Sequence, residues 1–487
     1  MPKIIPQRKN KVNLEDYNYE RDIKNRLLMS TFSAFDVEVL QEIIIGSIRV
    51  FLDQLVDDLD CQREPLLSTI AKLEQTGLFV KKGDVLHIDK EMRKYYEFQI
   101  KKFDNDFKPG MEFLQGLLRK VPIHILPIWY PIPKTTNNIF DSIVEKYLAT
   151  PRIYKNYWLE LGCTDPVFNG MVEEIFDSPT LKVFASDLRD KHALSAEAFE
   201  EYLLHLEFNF IACLSYNRIG DEWKEVVTPF YEWQQYLGFL VQTDLVDAAF
   251  LTPPSSLRKG RYSFATDATV VAEAAKEHPI AVSYITSLRR HVPSNDAVAL
   301  LLSKCDNIPA NATDDFDRYS DYYSHLLTKL CQVRVLQESG EMLVPGPELD
   351  EWLSLSVDER ALFIYRHPYN KLLDKEFPST LYTDRNTREA EKSLRRVLDK
   401  GWVLFDEFIK GVVTPLGENQ VKLKCQGRQW KYLIPCYTDE EIKFIEAVVF
   451  QRLYEGGFVE TGSYQGKKCF QVTAEGREAL GHHTSHY

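Results

Sequence analysis

The sequence has no apolar run long enough to cross a bilayer. The longest candidates, such as PIHILPIWYPIP at 122–133, are too short and too rich in proline. The opening MPKIIPQRKNK has no apolar core of a secretory leader. The expectation is a cytoplasmic protein with no membrane partner. Paired cysteines are missing as well. Cys61, Cys163, Cys213, Cys305, Cys331, Cys425, Cys436 and Cys469 stand singly, with no CxxC. That pattern fits reduced, mostly buried thiols better than disulfides or a zinc site. Positive charge is scarce: 59 basic against 72 acidic residues leaves a net charge of −13. Bulk attraction cannot hold such a chain on nucleic acid, so any contact there must use a local basic patch. Catalytic signatures are absent too. There is no GxxxxGK[ST], no GxGxxG after a strand, no HExxH and no GxSxG. The expectation is a non-enzyme without cofactor, catalytic residue or metal site.

What is present is architecture. The chain has 487 residues, enough for roughly three domains and several buried cores. A pattern repeats along it. QREPLLSTIAKLEQ (62–75) places Leu66, Leu67, Ile70 and Leu73 at helical spacing. Gly77 follows at a helix-stop position, then two short strand-like runs flank the turn at 81–84. The same syntax recurs at 327–348 and 450–478, and more loosely at 202–230. Leu453 and Gly457 keep the four-residue spacing of Leu73 and Gly77, and Leu206 and Phe210 keep it in the looser copy. Upstream, GSIRVFLDQLVDDL (46–59) and GWVLFDEFIKGV (401–412) each read as a turn, a short element and a short amphipathic helix. The unit is therefore helix, turn, helix, helix and two-stranded wing, the winged-helix order. The expected fold class is mainly α with small β-hairpins, an α+β chain of tandem winged-helix units.

The expected organisation follows from that unit. Residues 1–30, with seven Lys/Arg against four Asp/Glu, read as a flexible basic arm. Unit 1 covers 31–105. A connector with a Pro-rich segment and helices covers 106–164, with 122–134 expected to be extended or an edge strand. Unit 2 covers 165–240, a linker region 241–295, and unit 3 296–370. Unit 4 covers 371–481 and carries an inserted β-hairpin at 418–435. A disordered tail is expected at 482–487.

Units 3 and 4 carry a family resemblance. A wing ending at Pro345–Gly346, then GluLeuAspGluTrpLeuSerLeuSerValAspGluArg (348–360), resembles the helicase-associated winged-helix segments of bacterial proteins related to the N-terminal region of XPB-type helicases. GlyTrpValLeuPheAspGluPhe (401–408) and ValThrAlaGluGlyArgGluAlaLeu (472–480) are similar to their later elements. The likeness covers about 300–480. It implies an accessory or regulatory role near DNA, without a helicase motor.

In such folds the third helix enters the major groove and the wing tip touches phosphate. The candidate DNA-binding residues are Arg63 and Lys72 on the third helix of unit 1, with Lys81 and Lys82 at its wing turn. In unit 4 they are Arg452 on the helix, with Lys467 and Lys468 on the wing. The plain reading of each lysine pair is ordinary turn composition. Against DNA stand Glu197, Glu200, Glu201 and Glu207 on the third helix of unit 2, and Asp439, Glu440 and Glu441 opening that of unit 4. Such acids repel phosphate if they face it, complement helix N-termini, or pack against protein.

ArgIleTyrLysAsnTyrTrp (152–158) interleaves basic and aromatic residues, and is read as a helix with a buried aromatic face rather than a single-strand platform. SerLeuArgLysGlyArgTyr (256–262) reads as a solvated linker or a phosphate contact. Asp57, Asp58 and Asp60 are read as a solvated face, and His482, His483 and His486 as a tail without the support a metal needs. Two functions remain open: a non-enzymatic DNA-associated regulator or accessory factor of transcription or repair, and a winged-helix protein-interaction scaffold.

Overall fold

The computed structural model describes residues 11–132, 138–245, 254–256, 258, 260–287, 289–305, 316–368, 370–372, 380–417, 419–427 and 429–481. About 55% of the chain is helical and 17% lies in strands, gathered into small antiparallel sheets, so the class is α+β. It divides into two compact units. The first comprises Met1–Gly238 and Lys422–Leu433; the second comprises Phe239–Val421 and Ile434–Tyr487.

Each of the four helices expected to lead into a hairpin does so. Helix Arg63–Leu73 precedes strands Phe79–Lys82 and Val85–Ile88. Helix Ala196–Phe208 precedes Ala212–Ile219 and Glu222–Pro229. Helix Phe316–Gln332 precedes Leu336–Ser339 and Met342–Pro345. Helix Asp439–Ala447, continued by the π-turn Val448–Leu453, precedes Val459–Tyr464 and Lys467–Val472. In all four, a strand earlier in the chain pairs antiparallel with the second hairpin strand: Val50 opposite Leu86, Val183 opposite Val227, Ile280 opposite Leu343 and Val403 opposite Phe470. These four segments are called modules 1 to 4 below.

The four-residue spacing has a backbone cause. Leu73, Leu206, Leu330 and Leu453 are fully buried at the end of each third helix. Four residues on, Gly77, Phe210, Arg334 and Gly457 all take left-handed φ, between 63° and 74°. Next, the amides of Ile211, Val335 and Phe458 donate back to the carbonyls of Leu206, Leu330 and Leu453 at 2.9–3.0 Å. This is the hydrogen bond that closes a helix through a left-handed residue and turns the chain into a strand. Glycine adopts it without strain at two positions. At the other two a side chain is carried through it.

Module 1 shares one core with module 2. Leu66, Ile70 and Leu73 belong to the same buried cluster as Leu203, Leu206 and Leu214. Modules 3 and 4 have cores built on Leu326, Leu330, Leu343 and Trp352, and on Phe405, Phe408, Val448 and Phe470. Each fully buried Leu contributes about 1.5–3 kcal/mol over leaving it exposed. After the third hairpin, Arg360 lies over the Trp352 ring at 5.4 Å and donates to the Trp352 and Leu353 carbonyls. Residues Trp352 to Arg360 are thus one packed corner.

Several expectations are corrected. Within 1–30, residues 19–29 are no flexible arm but helix Tyr19–Met29, with Arg26 buried; residues 1–10 lie outside the described residues. Within 122–134, Leu126–Trp129 is a short helix whose Trp129 is fully buried and donates to Asp16 at 2.7 Å, not an edge strand. Much of 241–295 is no linker. Helix Ser263–Glu277 and strand Ile280–Ile285 supply the first helix and central strand of module 3, which therefore begins well before 296. The inserted hairpin is present, as Lys422–Gln426 and Gln429–Leu433, but it belongs to the first unit. The expected tail at 482–487, with His482, His483 and His486, lies outside the described residues. No described helix is long and apolar enough to cross a membrane.

Candidate nucleic-acid interface

The first hairpin turns at Gly83, whose φ of +60° suits glycine, and Lys81 and Lys82 precede it. Both lie on the strand rather than in the turn expected for them. Successive strand residues point to opposite faces, so these two lysines do not form a pair on one surface. Both are exposed, and neither makes an ion pair among the described residues. Lys467 and Lys468 also lie on a strand, after the turn at Gln465–Gly466. Lys467 is exposed and without a carboxylate partner among the described residues. Lys468 instead pairs with Glu446 and sits 5.8 Å from the Phe450 ring centre.

The third-helix candidates are all engaged with other side chains of the protein. Arg63 bridges Asp53 and Asp84, the latter at 2.7 Å, and Asp84 holds its guanidinium more firmly charged. Lys72 binds Asp36 at 2.7 Å and the Thr31 carbonyl at 2.6 Å, over the Phe32 ring. Arg452 binds Glu391 at 2.7 Å and stacks over Tyr365 at 4.4 Å. Burial works to lower its pKa, and Glu391 overcomes that and raises it. Reaching phosphate with any of the three means breaking these contacts.

The acids on the other third helices are explained in the same way. Glu200 and Glu207 face inward and receive Arg26, with Glu207 also 3.5 Å from Lys102. Burial would raise the Glu207 pKa, but Arg26 and Lys102 pull it down to about 2. Glu200 moves the other way, raised by burial. Helix Tyr19–Met29 thereby covers one face of the third helix of module 2, leaving Glu197 and Glu201 in solvent. In module 3, Lys329 is buried 3.3 Å from Glu455, which also accepts from His325 at 2.8 Å. In module 4, Asp439, Glu440 and Glu441 form the first helical turn, and Glu441 completes a capping box with Thr438.

The remaining sequence candidates are structural. Arg258 is buried and bidentate on Asp267, both bonds at 2.6 Å, so it contacts neither solvent nor phosphate; Leu257 and Lys259 lie outside the described residues. Helix Pro151–Leu161 buries Tyr154 and Tyr157, whose hydroxyls reach the Phe210 and Asn209 carbonyls. Asp57, Asp58 and Asp60 are exposed. No group of three or more His, Cys, Asp or Glu among the described residues is placed to hold a metal.

Three cationic residues escaped the sequence reading: Lys422, Lys424 and Lys431 on the inserted hairpin, all exposed. A signal was available. Residues 419–438 contain no Asp or Glu, in a chain of net charge −13. No protein-family model matches the chain, and no curated protein matches it.

Proposed function

We propose that this chain is a non-enzymatic, DNA-associated regulator or accessory factor of transcription or repair, working in the cytoplasm and built from tandem winged-helix units. The observation that carries this reading is the contrast between hairpins and helices. Lys81, Lys82 and Lys467 stand exposed and unpaired on hairpins, whereas Arg63, Lys72 and Arg452 are tied to carboxylates. Contact is therefore made by wings laid on phosphate, not by helices reading bases. Each neutralised phosphate releases counterions, so affinity should fall steeply with salt and depend little on sequence. The resemblance to helicase-associated segments favours the same accessory role.

A second reading has its own support. Module 1 exposes Ile45 (73%), Ile48 (52%), Phe51 (53%) and Val80 (59%), large apolar side chains of the kind that bind proteins. With the net charge of −13, they favour a protein-interaction scaffold. A titration of the full chain with duplex DNA from about 50 to 200 mM salt separates the two. Binding that weakens linearly in log–log form supports the DNA reading. No duplex binding at about 50 mM salt hands the function to the scaffold. DNA-stimulated ATP hydrolysis, or one zinc per chain, would overturn the non-enzyme reading.

A further inference from the structure

The inserted hairpin pairs Lys422 with Leu433, Lys424 with Lys431, and Gln426 with Gln429. These six residues share one face, because strand side chains alternate. The other face carries Leu423, Trp430 and Tyr432, and it fixes the hairpin in the first unit. Leu423 and Tyr432 are buried, and the Leu423 amide donates to the Ala149 carbonyl at 2.8 Å. The Tyr432 hydroxyl donates to the Leu148 carbonyl at 2.8 Å, its ring packs on Trp233 and Tyr236, and Trp430 meets Phe140 edge-on. One face is an anchor, so the other is held out rigidly.

That outer face is lysine and glutamine, with the half-buried Leu433 at the end beside Lys422. Lys424 and Lys431 stand directly opposite, an arrangement that is destabilising when the charges are alike. Lys422 follows on the same strand, roughly 7 Å from Lys424. None of the three has an ion pair among the described residues, and neither strand contains an acid. Three exposed cations on one face are left without an acid on either strand, in a protein of net charge −13. We infer that the Lys422–Lys424–Lys431 face is a second phosphate-binding surface, which lies along the backbone of duplex DNA.

Charge complementarity selects a polyanion, and the absence of stacking groups selects the duplex. Single-strand binders present aromatic rings to the bases. Here Trp430 and Tyr432 point the other way, into the protein. The face has no donor fork for a base edge, so it should add affinity without sequence preference. This inference rests on the proposed DNA association but uses residues that the wings do not share.

The test compares four full-length proteins on a duplex of about 20 base pairs, from about 50 to 200 mM salt. They are the wild type, K422Q/K424Q/K431Q, K422R/K424R/K431R, and the wing variant K81A/K82A/K467A. The glutamine variant should lower affinity for all duplexes alike and make the slope of log affinity against log salt shallower, by up to about 2.7 for three lost contacts. The arginine variant should bind as wild type does, which separates loss of charge from loss of fold. If the glutamine variant binds as wild type while the wing variant does not, the hairpin inference falls and the wing reading stands. If only the glutamine variant loses binding, the hairpin stands and the wings are not the contact. No binding by wild type removes both. The same proteins are titrated with phosphatidylserine vesicles; a glutamine variant that loses vesicle binding and keeps duplex affinity would make the face a lipid surface and overturn the inference.

Discussion

Arg26 reaches from helix Tyr19–Met29 to Glu207 on the third helix of module 2, Nη1 to Oε2 at 2.8 Å, with both side chains buried. Glu200 takes the guanidinium's Nε on the same helix. The residues are 181 positions apart in sequence, yet one guanidinium binds two buried acids, with Lys102 as a second cation 3.5 Å from Glu207. Removing the guanidinium should strand Glu200 and leave Glu207 with Lys102 alone. Arg26→Met is expected to destabilise the protein by about 3–5 kcal/mol, as other broken buried ion pairs do. The triple variant Arg26→Met, Glu200→Gln, Glu207→Gln should recover part of that loss. Urea denaturation of the three proteins checks it, and a triple variant no better than the single would show that the charges were not the issue.

Glu232 gives a pH prediction. Burial raises its carboxyl pKa to about 7, although the Met111 amide donates to one oxygen at 2.9 Å and works against the rise. A carboxyl whose folded pKa lies above its unfolded value near 4.5 binds more protons when folded. Its contribution is full below about pH 4.5 and is lost as pH rises through about 7. Glu232→Gln should therefore gain stability relative to wild type between pH 5 and pH 8, by about 1–3 kcal/mol. Paired urea melts at the two pH values measure the difference; a gap that does not change with pH rejects the prediction.

Arg452 and Lys467 belong to the same module but should respond in opposite ways. Arg452→Ala removes a half-buried pair with Glu391 and a stacking contact with Tyr365. It is expected to cost about 1–3 kcal/mol of stability and leave duplex affinity unchanged where the protein is folded. Lys467→Ala should leave stability within about 0.5 kcal/mol and make the salt slope shallower by up to about 0.9. Thermal melts and DNA titrations of both variants decide it.

Two glycines offer a contrast. A Cβ on Gly476 would lie 2.2 Å from the Phe458 carbonyl oxygen, and its amide already donates to Thr473 at 3.1 Å. Gly476→Ala should destabilise by about 1–3 kcal/mol through overpacking. Gly238, within helix Tyr231–Gln242, has nothing within 4 Å of its Cβ position. Gly238→Ala should stabilise by up to about 1 kcal/mol, through helix propensity and a less entropic unfolded chain. Equal effects at the two sites would refute the steric account.

The repeat was legible in sequence because its signals are local. A leucine that ends a helix and a left-handed residue four positions on are set by the backbone of one turn. The spacing even held where glycine was replaced, at Phe210, because the following amide still closes the helix on Leu206. The start of module 3 was not legible. Residues 241–295 read as a linker because the membership of helix Ser263–Glu277 depends on Ile280 pairing with Leu343, more than sixty residues away. The wing lysines were found by composition and misplaced by one or two residues, from turn to strand. That shift decides which face each lysine serves. The third-helix cations were found too, but their partners lie on other elements: Glu391 for Arg452 and Asp36 for Lys72. Sequence spacing could not show that these charges were already spent.

The hairpin at Lys422–Leu433 also constrains the order in which the chain can become native. Unit 1 includes it, and Tyr432 packs on Trp233 and Tyr236. The segment Phe239–Val421 is synthesised between those two aromatic residues and their partner. At about 5–20 residues per second, the first unit waits on the order of ten to forty seconds with that aromatic seat unfilled. Its final closure is then a long-range event, of the kind that folds slowly. A chain cut anywhere in Phe239–Val421 yields a first unit lacking two of its strands, with the seat at Trp233 and Tyr236 unfilled.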